Sequence, residues 1–176
     1  MIALADLATA EDANRLRPWM RARRAVLRIS ALDGLARAKP EDLRSLVSSA
    51  LMDSAPKVVR RAVTIAQREI GLSREMLQNA YSQVTAPPIK HTLIRATHEL
   101  DKWNALALLL LWHHPPDDAM AEALELELNR WIRDEARRFT PLGDALRHEI
   151  HQALKRQRSG DTGIHWSRIE FALNSS

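Results

Sequence analysis

The sequence predicts an all-α protein, an α-solenoid of about four antiparallel helix hairpins closed by an irregular helical cap. Three observations lead there. Apolar residues recur at helical spacing along almost the whole chain, while strand-like alternation appears nowhere over a useful length. The breaks between periodic stretches are short and punctuated by Pro or Gly, which makes consecutive helices antiparallel neighbours. A short motif also recurs: Arg23-Arg24-Ala25-Val26 returns as Arg60-Arg61-Ala62-Val63, with a weaker echo at Arg95-Ala96-Thr97.

Taken in order, helices are expected over 11–24, 24–38, 41–52, 56–70, 73–84, 87–100, 102–113, 116–138, 142–157 and 165–173. Pro40 followed by Glu41 and Asp42, and Pro116 followed by Asp117 and Asp118, place a proline and two acids in a first turn. No intrahelical N–H is lost there, and the helix dipole favours negative charge. Gly71 stops one helix and Ser73 caps the next. Thr140-Pro141 is expected to open another, with Thr140 as its cap. The run Ala105 to Trp112 reads as a buried helix. Its eight residues cover roughly 12 Å, against about 30 Å for the hydrocarbon core of a bilayer.

Composition narrows the function classes. The chain has 176 residues, room for one domain and tight for two. It has no cysteine, which removes disulfides, thiolate nucleophiles, iron–sulfur clusters and Cys-type zinc sites. Lys and Arg number 26 against 22 Asp and Glu, a net charge of +4, and Arg supplies 21 of the 26, a bias associated with GC-rich bacterial genomes. The N-terminus meets Asp6 before any basic residue, so it lacks the pattern of a secretory signal, and a reducing cytoplasm is the expected compartment. Five glycines, at 34, 71, 143, 160 and 163, never cluster as a phosphate loop or dinucleotide fingerprint requires.

The segment from Pro40 to Val63 carries a family likeness. A first helix ends at Leu51-Met52-Asp53, a turn with Pro56 follows, and the next helix opens Val58-Val59-Arg60 with an alanine at Ala62. This resembles the HEAT repeat, from which it departs at Val59, where an arginine is usual. The likeness is best at 40–70, extends over about 15–113 and fades beyond Asp117. It implies a curved surface of stacked hairpins that binds another macromolecule. Two adjacent stripes, Val58, Ala62, Ile65 and Val59, Val63, Ala66, Ile70, give one helix an apolar face wide enough for both its hairpin partner and the next repeat. Arg60 and Asp53 are expected to bridge repeats. The residues after 117 are expected to form the cap, with Glu122, Glu125 and Glu127 facing water.

Candidate chemistry is sparse. His148 and His151 share a helix face with Asp144 one turn earlier, but the metalloprotease His-Glu-x-x-His spacing is not met and no third ligand is evident. His113 and His114 suit a helix C-terminus, where imidazoles meet terminal carbonyls. His91, His98 and Glu99 lack a nucleophile around them, and the adjacent His98 and Glu99 do not face one another. Lys155-Arg156-Gln157-Arg158 suits a helix end. No catalytic set is complete, and neither an enzymatic role, a cofactor nor a metal is expected.

The sharpest feature is Arg15, Arg17, Arg21, Arg23, Arg24 and Arg28, six cations with no acid among them and with Trp19 in their midst. Arg15, Arg17, Trp19, Arg21, Arg24 and Arg28 are the candidate partner-binding residues. The expected function is that of a non-catalytic adaptor or scaffold for a protein partner. The alternative is a nucleic-acid-binding repeat protein, in which the arginines hold phosphates and Trp19 stacks on a base. An accessory role to an enzyme is a third possibility, and no membrane association is expected. The expected organisation is a repeat domain with cap over 1–158, a linker at 159–163, and a short amphipathic helix and tail at 164–176. Trp166, Ile169, Phe171 and Leu173 are placed to dock that helix on the array or on another protein.

Overall fold

The computed structural model describes residues 12–113, 120–135, 140–157, 164 and 166–175, and these are all-helical, without a strand. The chain divides into two compact units, Met1–Ala96 and Thr97–Ser176. The expected linker at 159–163 and the Pro116 helix start lie outside the described residues.

In the first unit, α1 (Ala13–Leu16) runs into a 3₁₀ turn over Arg17–Arg21. There follow α2 (Ala25–Ala38), α3 (Leu43–Ala50), α4 (Pro56–Ile65), α5 (Arg74–Gln83) and α6 (Pro87–Ala96). A π-helical turn over Ala66–Ile70 extends α4 to Gly71, whose φ of 72° ends it as a glycine can. Ser73 caps α5 as expected, its hydroxyl accepting from the Met76 N–H at 3.3 Å. Pro56 and Pro87 occupy first turns, where a missing N–H costs nothing. Pro40 behaves differently. Residues 40–42 form a turn and the helix starts at Leu43, because the Asp42 carboxylate is drawn away to a guanidinium on another element.

The wide apolar face expected of α4 is present: Val58, Val59, Ala62, Val63, Ile65 and Ala66 are all buried. Through it α4 packs on α2, α3 and α6, and α2 packs in turn on α1 and α3. Helices α2, α4 and α6 begin at Ala25, Pro56 and Pro87, two equal steps of 31 residues, and α3 and α5 begin at Leu43 and Arg74, the same step again. The recurrent Arg-Arg-Ala-Val does not follow this step, since Ala25 opens α2 whereas Ala62 lies mid-helix in α4.

The second unit is built on α7 (Lys102–Trp112), against which α8 (Ala121–Asp134) and α9 (Asp144–Gln157) pack. The Asp101 carboxylate caps α7 by accepting the Trp103 and Asn104 N–H groups, both at 3.1 Å. Trp103, Ala105 through Leu110 and Trp112 are buried, as a helix covered all round requires. Thr140 is not a helix cap. Helix α9 starts at Asp144, and the Thr140 carbonyl instead accepts the Trp103 indole N–H at 2.9 Å. Helix α10 (Trp166–Asn174) docks back within this unit: Ile169 and Leu173 are buried, the Leu173 carbonyl accepts from the Arg147 guanidinium, and Trp166 meets His113 edge-on at 5.8 Å. Phe171, expected to help dock it, is exposed.

One expected surface acid is a correction. Glu127 is buried, 4% exposed, because it lies between Leu124, Leu128 and Trp131 on the inward face of α8, and its carboxylate pairs with His98 Nε2. Among the described residues, no helix is long and apolar enough to cross a membrane.

Candidate functional site

The arginine-rich segment forms the 3₁₀ turn after α1 and the entry to α2, and the structure gives its six cations three different environments. Arg17 and Arg28 are held by carboxylates. Arg17 donates through Nε and Nη2 to Asp42, at 3.2 and 2.7 Å, and also pairs with Asn14 Oδ1. Arg28 donates through Nε and Nη2 to Asp53, both at 2.7 Å. These are two forked, charge-assisted pairs of the same design, each spanning 25 residues. Hydrogen bonding to Asp42 raises the Arg17 pKa, and Arg17 in turn holds the Asp42 carboxyl below its ordinary range. The Arg28 pKa is likewise raised by its bond to Asp53. Arg15 stands in a third situation, 3.7 Å from Asp12 and mostly exposed.

The remaining three, Arg21, Arg23 and Arg24, are exposed and make no ion pair among the described residues. Their backbone is nonetheless pinned. Arg28 Nη1 donates to the carbonyls of Ala22 and Arg23, at 2.7 and 3.1 Å, while its other nitrogens hold Asp53. Asp53 also accepts the Ala55 N–H at 2.7 Å, so one carboxylate fixes the turn before α4 and, through Arg28, the approach to α2. The expected Asp53–Arg60 bridge does not form. Asp53 faces Arg28, Arg60 is exposed, and it is Arg61 that reaches a carboxylate, that of Asp33.

Beside this segment runs a groove of about 580 Å³, whose lining includes Arg17, Met20, Arg21, Leu46, Ala50 and Asp53. Its floor is apolar, because Met20 and Leu46 pack onto a small core of Ala13, Leu16, Leu35 and Ala38. Trp19, in the same 3₁₀ turn, is 42% exposed. The groove therefore joins an apolar floor, the paired Asp53 carboxylate and the exposed Arg21 guanidinium. Sequence reasoning placed the arginines and Trp19 but missed Asp42, Asp53, Met20 and Leu46. A signal for the carboxylates was present, since Arg17 and Arg28 are separated by the same interval as Asp42 and Asp53.

The second unit carries a cleft of about 370 Å³ lined by His98, Lys102, Arg130, Trp131, Asp134 and Glu135. Lys102 is buried with its Nζ over the rings of Trp103 and Trp131, 4.2 and 5.7 Å from their centroids. Burial lowers its pKa, an effect that the charge of Glu135 partly opposes. The Trp131 indole donates to the Lys102 carbonyl and the Trp103 indole to that of Thr140, both at 2.9 Å, so each ring is held by its own bond. These contacts brace α7 against α8. Among the described residues no three His, Cys, Asp or Glu side chains converge as a metal-holding group, and His148 is exposed.

Comparison of the chain with protein-family models, with curated proteins and with solved structures returned no match.

Proposed function

We propose that the protein is a non-catalytic adaptor whose first unit is a HEAT-like stack of helix hairpins, and that it engages a protein partner through the groove beside Trp19. The stacking reading is supported by the equal 31-residue steps and by α2, α4 and α6 packing in succession. The observation that carries the functional reading is the groove itself: an apolar floor of Met20, Leu46 and Ala50 with the exposed Arg21 in its lining, and an exposed indole, Trp19, in the same 3₁₀ turn. Trp and Arg, with Tyr, are enriched among the side chains that anchor protein interfaces, Trp through its large rigid ring and Arg through its planar fork of donors. A cysteine-free chain suits the reducing cytoplasm in which we place it.

Affinity capture with the full chain tests this. Specific proteins are expected to be retained by the wild type and lost by Trp19→Ala. Turnover of a substrate that a single side-chain change abolishes would refute it. A second reading, nucleic-acid binding, is favoured by Arg21, Arg23, Arg24 and Trp19 together being exposed. Three cations on phosphates give affinity falling with salt at a log–log slope of about −2 to −3, and binding of a single-stranded oligonucleotide that Arg21→Glu weakens tests this reading.

A further inference from the structure

We infer that the groove of the first unit takes an acidic peptide segment of the partner, with an apolar side chain seated on Met20, Leu46 and Ala50 and flanking carboxylates on Arg21, Arg23 and Arg24. The inference rests on the adaptor reading above and names the partner's chemistry.

Charge complementarity selects the occupant. Arg17, Arg21 and Asp53 line the groove, and Asp42 and Arg28 are bonded to them, yet these charges are not equivalent. Arg17 and Arg28 have their forks filled by Asp42 and Asp53, and neither can offer that fork to a second carboxylate without giving up the first. What stays open to a ligand is Arg21, which lines the groove, and Arg23 and Arg24, which follow it on backbone tied to the groove wall through Arg28 and Asp53. The available charge is thus positive and stands on backbone that Arg28 fixes at Ala22 and Arg23 before any ligand arrives. A guanidinium accepts a carboxylate through two parallel N–H donors.

The apolar floor and the Asp53 carboxylate together favour a peptide over a nucleic acid. Its volume, about 580 Å³, falls within the roughly 300–1,000 Å³ of small-ligand sites and admits side chains. A single strand can lay a base on Met20 and Leu46, but its phosphates then follow one another along a wall that carries the Asp53 carboxylate. A peptide with an aliphatic or aromatic residue between Asp or Glu residues satisfies the floor and the rim together.

The test pans a displayed library of random short peptides on the full chain, then measures one enriched peptide by fluorescence anisotropy against wild type, Arg21→Glu and Arg24→Glu. Expected are sequences with an apolar residue flanked by acids, weakened roughly threefold to tenfold by each reversal. All three proteins should melt alike, because Arg21 and Arg24 are exposed. Enrichment of neutral or basic sequences, or indifference to both reversals, overturns the acidic-peptide inference and leaves the adaptor reading standing. Failure to enrich any peptide overturns the inference too, with the capture experiment then judging the adaptor reading alone. Binding of a single-stranded oligonucleotide in place of any peptide overturns both.

Discussion

At the residue scale, Lys39 and Lys102 each occupy an unfavourable place for a lysine, for different reasons. Lys39 ends α2 at φ 47°, ψ 52°, the left-handed conformation that glycine adopts at no steric cost. Its backbone N–H bonds the Leu35 carbonyl at 3.0 Å, so the conformation is required by the cap. Its amine reaches Glu69 at 3.1 Å, in a pair too exposed to offset much. Lys39→Gly is expected to be more stable than Lys39→Ala by about 1 kcal/mol in chemical denaturation. Both variants lose the ion pair, so their difference isolates the backbone. Lys102 bears on pH. Its folded pKa lies below the ordinary 10.5, so between the two values the unfolded chain binds more protons than the folded one. Stability therefore rises with pH through that window. Melts of wild type and Lys102→Met between neutral pH and pH 10.5 are expected to show the wild type gaining on the variant as pH increases.

At the element scale, Arg17–Asp42 and Arg28–Asp53 invite a direct comparison. Their fork geometry is alike and their burial is not: side-chain exposures are 35% and 44% in the first pair, 11% and 13% in the second. Removing one partner of a buried pair strands the other charge, which costs about 3–5 kcal/mol when burial is complete, while exposed pairs contribute little. Arg28→Ala is expected to be the more destabilising of the two substitutions. It also releases the carbonyls of Ala22 and Arg23, so amide exchange at the entry to α2 should accelerate. Urea midpoints of the two single variants, and a double-mutant cycle with Asp53→Ala, measure this. Helix α7 gives a further expectation. Leu106 is wholly buried, and Leu106→Ala should cost about 2–5 kcal/mol by calorimetry or denaturant.

At the scale of the whole molecule, the order and class of elements were legible in the sequence because each helix carries its own apolar period and its own stop. The observed bounds fall within a few residues of the expected ones over 25–113. What was not legible are pairings across elements. Nothing local to Glu127 says that His98 awaits it, and a carboxylate in a Leu-Glu-Leu-Glu-Leu run reads as solvated until the helix phase places it between Leu124 and Trp131. Likewise Asp42 reads as a first-turn acid, since its draw toward Arg17 depends on how α1 and α3 meet. The candidate site was half visible: its charges stand out in the sequence, whereas its floor is ordinary core-type residues, Met20 and Leu46, left partly uncovered by packing.

Helix α7 has one more consequence, which concerns synthesis. Its leucine-rich stretch is buried largely by α8 and α9, both of which lie downstream in the chain. While the protein emerges from the ribosome, that stretch is bare until its covering segments have followed it out, some forty residues later for α9. The nascent chain thus presents a greasy run open to aggregation, and slowing translation between α7 and α9 should raise the yield of insoluble product.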